Sequence, residues 1–222
     1  MTFDLALNLT AVLDLTAVFV FALTGALVAS RAQLDIIGFV FFACLTAVGG
    51  GTVRDVILGA EQVFWVANPV NLFVASAAAI VVYFSAHLLE SRYRVLIWID
   101  ALALPVAVSA GVSATHDMGQ EWAIILLMGV ITGTFGGLLR DVVANEMPLL
   151  LKQREMYASA AVCGVIFFPL VILAGGSERE ALWATAIVTF LLRAGSLALG
   201  WRIPVYKPRP IRTSSYDDNK PL

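Results

Sequence analysis

Residues 47–56, AVGGGTVRDV, place three consecutive glycines shortly before an arginine and an aspartate inside a long apolar run, with only Thr52 and Val53 between them. Each glycine in the interior of a helix costs roughly 0.8–1 kcal/mol relative to alanine. Charged side chains inside a membrane-spanning segment are rare, and they commonly mark functional sites. The segment therefore combines a weakened helical backbone with two charged side chains, which makes it a candidate functional site.

The composition of the surrounding chain indicates an integral membrane protein. Of its 222 residues, 60% are hydrophobic and 14% are charged, and the mean hydropathy is +0.88. Soluble domains have about 25% charged residues. The apolar runs are continuous rather than alternating, so membrane-spanning helices of about 20 residues are predicted instead of a barrel. The seven predicted spans are residues 11–30, 36–53, 66–86, 95–115, 122–139, 156–176 and 181–201.

The distribution of lysine and arginine predicts the orientation of the chain in the membrane. Cytoplasmic loops carry an excess of these residues. One side of the predicted membrane has only Arg54 and Arg179. We therefore expect an outside N-terminus and a cytoplasmic C-terminus. The other twelve cations are Arg31, Arg92, Arg94, Arg140, Lys152, Arg154, Arg193, Arg202, Lys207, Arg209, Arg212 and Lys220.

The chain also contains an internal repeat with an offset of 86 residues and no gap. The matched pairs at this offset are Arg54 with Arg140, Asp55 with Asp141, Gly50 with Gly136, Gly51 with Gly137, Gly25 with Gly111, and Asp14 with Asp100. Three spans are an odd number, so the second unit enters the membrane from the opposite side. The predicted units are a first three-helix repeat (1–90), an inverted three-helix repeat (91–177), a seventh helix (178–202) and a disordered cytoplasmic tail (203–222).

The repeated glycines predict a kink or partial unwinding in the second and fifth spans. These glycines are Gly49, Gly50 and Gly51 in the second span, and Gly133, Gly136 and Gly137 in the fifth. Backbone carbonyls freed in this way can coordinate a cation or line water. Glycine-broken helices at matching positions of inverted repeats indicate a transport pathway.

The charged residues beside these glycines are candidates for the same pathway. Neighbouring residues on a helix do not face each other, so we expect each arginine to pair with an aspartate on another helix. Asp14 is the candidate partner of Arg54, and Asp100 is the candidate partner of Arg140. Asp55 and Asp141 complete the two predicted charged sites.

Other interpretations of these residues concern packing and position. Glycines in membrane helices also let neighbouring helices approach closely, and an arginine near a helix end can extend to the interface, as we expect for Arg193. His87 and His116 fall in loops on opposite faces, so no metal site is expected. The sequence lacks a paired nucleophile and base, which argues against an enzyme. No cofactor and no nucleic-acid partner are expected.

The two segments GGGTVRDVILG (49–59) and GGLLRDVVANEMP (136–148) resemble the bacterial branch of the TRIC family, the trimeric intracellular cation channels. This bacterial branch is also known as a glycine transporter domain. The resemblance covers residues 10–201. It implies a homotrimer in the bacterial inner membrane, with a pore for K⁺ and Na⁺ within each subunit. In that family the pore runs between spans 1, 2, 4 and 5, and spans 2 and 5 kink at their glycines.

Two further expectations and two alternatives accompany this resemblance. Animal members bind a phosphoinositide through a lysine-containing motif, but Arg-Asp-Val stands at that place here, so only general membrane lipid is expected as a lipid partner. The first alternative is a secondary transporter of glycine or another small zwitterion, which works by alternating access. The second is a membrane scaffold in which the repeated motif serves packing alone.

Overall fold

The computed structural model describes residues 9–88, 91–152 and 155–203, and all of its regular elements are helical, as predicted. Most of the predicted tail, residues 204–222, lies outside the described residues. Two 3-10 turns, Ala86–Leu88 and Leu149–Leu151, follow α4 and α6. The α-helices are α1 (Leu9–Arg31), α2 (Ile36–Leu58), α3 (Phe64–Ala67), α4 (Val70–Ser85), α5 (Arg92–Asp117), α6 (Trp122–Val143), α7 (Ala158–Leu173) and α8 (Glu178–Leu199).

Six helices in the described part of the chain are long and apolar enough to cross a membrane: α1, α2, α4 with its 3-10 turn, α5, α6 and α8. The sixth predicted span corresponds to α7, which has 16 residues. Such a helix rises ~24 Å, less than the ~30 Å thickness of a bilayer core. A seventh complete span therefore stays a prediction. The four-residue helix α3 was not predicted, because it is too short to show a period.

The α2 and α6 helices are longer than the sequence predicted, by about one turn each at their C-terminal ends. Both extensions contain the Arg-Asp pairs, whose side chains form ion pairs inside the protein. The α2 helix begins after Asp35, whose carboxylate accepts a hydrogen bond of 2.8 Å from the Gly38 backbone N–H. It ends at Gly59, which has a left-handed backbone with φ of 67°. These are common start and stop signals of helices.

The predicted unwinding at the glycines is wrong. The α2 and α6 helices continue without interruption through all six glycines. The reason is close packing between the two helices: a Cβ on Gly50 would collide with the carbonyl oxygen of Thr132, and one on Gly136 would lie 2.5 Å from that of Thr46. These glycines permit close approach, and a bend without unwinding stays a prediction.

The helices surround α1 and α5, which pack against each other near the centre of the bundle. The α1 helix also contacts α2 and α4, and α5 also contacts α6 and α8. The α2 and α6 helices cross at the glycines, and α7 packs mainly on α8. The first, second, fourth and fifth predicted spans correspond to α1, α2, α5 and α6. This arrangement brings the four helices that carry the matched residues together.

Candidate ion pathway

The first charged cluster is centred on Arg54, near the C-terminal end of α2. Its Nε donates to Asp55 Oδ1 at 2.7 Å, and its Nη1 lies 3.4 Å from Asp14 Oδ1 on α1. The other Asp55 oxygen accepts a hydrogen bond of 2.8 Å from the Phe64 backbone N–H. The Arg54 side chain is 2% exposed, while that of Asp14 is 16% exposed. This cluster therefore contains a buried cation and a carboxylate with partial access to the surroundings.

The second charged cluster is centred on Arg140, near the C-terminal end of α6. Its Nε donates to Asp141 Oδ1 at 2.8 Å, and its Nη1 donates to Asp100 Oδ1 on α5 at 3.0 Å. The other Asp141 oxygen accepts from the Leu149 backbone N–H at 2.8 Å. Nη1 also donates to the Thr24 hydroxyl at 2.8 Å. Arg140 and Asp100 are fully buried.

The two clusters contain the ion pairs between helices that the sequence predicted. The expectation that adjacent residues would not pair is wrong, because each arginine curls back so that its Nε reaches the next residue. Each guanidinium therefore lies between two carboxylates. Charge-assisted hydrogen bonds of this kind are roughly twice as strong as neutral ones, and they offset part of the cost of burying the charges.

Three polar residues lie beside the second cluster, and none of them was predicted to be part of a site. Arg193 on α8 was expected to extend to the interface, but it is fully buried and pairs with Glu155 at 3.0 Å. Its guanidinium lies 4.8 Å from the centre of the Tyr157 ring. The Tyr157 hydroxyl would lie 3.1 Å from a Cβ on Gly137. An arginine inside an apolar span was a visible signal for this site, whereas nothing in the repeat indicated Tyr157 or Glu155.

A narrow cavity lies between α1, α2, α5 and α6, with Phe64 of α3 at its wall. Its volume is about 10 Å³, which is room for about one water molecule. Asp14 contributes to its wall, as do the glycines of α2 and two facing threonines. The lining residues are Asp14, Ala17, Val18, Phe21, Thr46, Ala47, Gly50, Gly51, Phe64, Ala107, Ala110 and Thr132.

The predicted glycine residues therefore lie in different surroundings, and only some of them line the cavity. Gly50 and Gly51 line the cavity with Asp14, whereas Gly133 packs against Val108 of α5. Gly49 faces Leu139 across the α2–α6 contact. Several buried polar atoms have no hydrogen-bond partner within the described ranges. Five of them belong to the second cluster or its surroundings: Asp100 Oδ2, Arg140 Nη2, the Tyr157 hydroxyl, and Nε and Nη2 of Arg193. Such atoms are suited to bind water or an ion.

Comparison with known proteins identifies the family. The family model described as "Glycine transporter" matches two segments, residues 11–87 and 97–172, whose first residues are 86 positions apart. The chain belongs to the TRIC family. Curated relatives include the UPF0126 membrane protein of Vibrio cholerae, which is 36% identical over 199 residues (87% of this chain and 81% of the relative). The UPF0126 inner membrane protein YadS of Escherichia coli K12 is 34% identical, with 87% and 94% covered.

Solved structures of TRIC channels have the same fold. The trimeric intracellular cation channel orthologue from Rhodobacter sphaeroides superposes with a TM-score of 0.83 at 41% sequence identity, over 86% of this chain and 98% of the other. A prokaryotic TRIC channel studied in 0.5 M KCl superposes with a TM-score of 0.80 at 25% identity, with 86% and 96% covered. Both neighbours are channels rather than enzymes. The all-helical membrane fold and the resemblance to the TRIC family are therefore confirmed.

Proposed function

We propose that this protein is a monovalent cation channel that conducts K⁺ and Na⁺ across the bacterial inner membrane. The observation that carries the proposal is the pair of buried Arg-Asp clusters at an offset of 86 residues, in a bundle with the fold of solved cation channels. Intramembrane charges of this kind commonly mark ion pathways. The name of the Escherichia coli relative supports the inner membrane as the location.

The charge of the clusters supports selection for cations. Arg54 is bound by Asp14 and Asp55, and Arg140 is bound by Asp100 and Asp141. With its carboxylates ionised, each cluster carries one net negative charge. Rings and clusters of carboxylates favour cations over anions in channels. The arginine then serves to hold two aspartates in place, at a depth where unpaired carboxylates would be too costly.

The pathway in our proposal runs between α1, α2, α5 and α6, through the cavity that Asp14 lines. The threonine and glycine residues in its wall offer hydroxyl and backbone groups beside the apolar ones. At about 10 Å³ the cavity is too small for a row of hydrated ions. Conduction through this cavity therefore requires the four helices to separate.

The contacts of the two halves support an arrangement as inverted repeats. Gly25 packs on α2 where Thr46 lies, and the matched Gly111 packs on α6 where Thr132 lies. The two segments of the family match have the same offset. Inverted repeats of three spans, an outside N-terminus and a cytoplasmic C-terminus follow from the sequence. A reporter enzyme fused at the C-terminus tests this orientation, and activity only in the periplasm would contradict it.

We also propose a homotrimer, since the name of the Rhodobacter sphaeroides relative describes that protein as trimeric. In this proposal each subunit has its own pore. Large apolar side chains on the outer surface support contact with membrane lipid; Phe73, for example, is 74% exposed. No phosphoinositide is required by the proposal. Mass measurement of the purified protein in detergent by light scattering tests the trimer, and a monomeric protein mass would contradict it.

The decisive experiment for the function is single-channel recording of the purified protein in planar bilayers. Under a KCl gradient, we expect unitary currents whose reversal potential lies on the side expected for cations, and similar conductance when Na⁺ replaces K⁺. The alternative is a transporter of glycine or another small zwitterion. Saturable uptake of labelled glycine into proteoliposomes without unitary currents would contradict the channel and support that alternative.

A further inference from the structure

Three potential metal ligands meet at the end of the bundle where α5 ends and α8 begins. His116 and Asp117 are the last two residues of α5, and Glu178 is the first residue of α8. One ligand atom of each residue lies within 4.8 Å of the corresponding atoms of the other two. No metal site was predicted from the sequence, because His87 and His116 were placed on opposite faces and Glu178 is too distant along the chain for any motif to connect it.

The chemistry of this cluster suits a divalent transition metal. Zn²⁺ is bound by imidazole nitrogen and carboxylate oxygen at about 2.0–2.2 Å, and three protein ligands can leave its fourth position to water. Ligand atoms in such a site are about 3.4 Å apart, as the tetrahedral geometry requires. Asp117 is exposed, so rotation of its side chain can bring the three ligands to that spacing. Ca²⁺ prefers a set of oxygen ligands, which the imidazole does not supply.

Two hydroxyl groups hold the carboxylates of the cluster in position. Thr10 of α1 donates to Asp117 Oδ2 at 2.7 Å, and Ser113 Oγ lies 3.4 Å from Glu178 Oε1. The two hydroxyl groups are themselves 2.7 Å apart. Each carboxylate thus keeps one oxygen for a metal ion, while the other is oriented by a neighbour, as is common around metal ligands.

The charge and access of the cluster also suit a cation. No lysine or arginine in the described part of the chain forms a salt bridge with Asp117 or Glu178. The His116 ring is held by aromatic contacts with Trp122 and Phe168, whose ring centres lie 6.2 and 5.3 Å away. An open cavity of about 520 Å³ adjoins His116 and provides a route from solvent. A metal site requires such an entry path.

We propose that His116, Asp117 and Glu178 bind one divalent transition-metal ion, with Zn²⁺ as the matching probe. The site joins α5 to α8, and the Thr10 hydrogen bond connects it to α1. Asp14 of the first charged cluster lies one turn further along α1. If the proposed pore function is correct, metal binding acts on the pore from this end. The binding itself is independent of that function.

The test is Zn²⁺ titration of the full-length purified protein by calorimetry after removal of metal with a chelator. We expect one Zn²⁺ per chain, and at least tenfold weaker binding for H116Q and for E178Q. The matched controls are H87Q, which changes the other histidine, and E121Q, which changes an acid beside the adjoining cavity. Both controls should bind Zn²⁺ within twofold of the unmodified protein. Equal binding by H116Q, or an equal loss in H87Q, would overturn the proposal.

A second measurement keeps the outcome clear if H116Q fails to fold, since His116 also contacts aromatic rings. Electron paramagnetic resonance of bound Cu²⁺ should show nitrogen splitting from one imidazole in the unmodified protein and in H87Q. The splitting should also be absent from H116Q whenever that variant folds. E178Q and D117N should each weaken Zn²⁺ binding while circular dichroism shows unchanged helix content. Displacement of Zn²⁺ by equimolar Ca²⁺ would indicate an oxygen-only cluster and would overturn the proposal.

Discussion

The Arg54 and Arg140 clusters have the same motif but differ in burial. In both, the arginine binds the next residue and one aspartate on another helix. The Arg54–Asp14 contact is 3.4 Å long and Asp14 is partly exposed at the wall of the cavity, whereas the Arg140–Asp100 contact is 3.0 Å and fully buried. The same ion pairs therefore form in both copies of the motif, and the residues around each copy determine how deeply its cluster is buried.

Single differences between the repeats explain this contrast. The Thr24 hydroxyl accepts a hydrogen bond from Arg140. The matching position, 86 residues further on, is Ala110, which has no hydroxyl that could accept a hydrogen bond from Arg54. Phe64 lies beside Arg54, with 5.6 Å between the guanidinium carbon and the ring centre. Tyr157 and Arg193 lie beside the second cluster and help to bury it, and both residues come after the repeated motif in the sequence. We therefore expect the two clusters to respond differently to the same substitution.

Replacement of the arginines should give the largest effect. R140M leaves two buried carboxylates without a cation, and loss of one partner of a buried pair typically costs about 3–5 kcal/mol. The matched variant R54M should lower the free energy of unfolding less, by a margin of at least about 1 kcal/mol, because Asp14 is partly exposed. Denaturation in detergent, followed by circular dichroism, measures both. Equal losses would show that burial does not distinguish the clusters.

Substitution of the crossing glycines should give the next largest effect. G50A and G136A each place a Cβ against a backbone carbonyl oxygen of the facing helix. Overpacking costs about 1–3 kcal/mol, and alanine returns about 1 kcal/mol of helix propensity. We expect net losses of up to about 2 kcal/mol for both variants, since the neighbouring atom is backbone and cannot rotate away. G49A is the matched control, since its close contact is with the end of the flexible Leu139 side chain, and the Gly136 Cα lies at an ordinary van der Waals distance of 3.6 Å.

The expected equality of G50A and G136A tests the symmetry of the helix crossing. Both variants and the control are compared by the same unfolding measurement. Stability of G50A and G136A at the level of G49A would mean that the helices separate easily at the crossing, contrary to the packing described above.

Removal of the Thr24 hydroxyl should give the smallest effect. Arg140 keeps both aspartates in T24A and loses one hydrogen bond, which corresponds to about 0.5–1.5 kcal/mol. T115A is the control, because the Thr115 hydroxyl is buried but bonds only to the Gly111 carbonyl of its own helix. Thermal unfolding of the two variants measures the difference. A larger loss of stability in T115A than in T24A would show that the Thr24 hydroxyl does not stabilise the second cluster.

The sequence was informative where the physical signal is local or repeated. Long apolar runs predicted the membrane-spanning helices, and the 86-residue offset predicted that Asp14 and Asp100 pair with Arg54 and Arg140. The continuity of α2 and α6 was not predictable, because the glycine penalty of about 1 kcal/mol is offset by packing against a helix distant in sequence. The burial of Arg193 depends on which face of α8 meets α7, and the helix pattern alone does not specify that face.

The central claim is that ions pass between α1, α2, α5 and α6, and chemical modification during conduction tests it most directly. Ala47 lines the cavity, whereas Phe41 on the same helix is 53% exposed on the outer surface. In a C44A/C163A background, a cationic thiol reagent applied while channels are open should block the current of the Ala47→Cys variant and leave the Phe41→Cys variant unchanged. Unchanged current after verified modification at position 47 would contradict a pathway between these four helices.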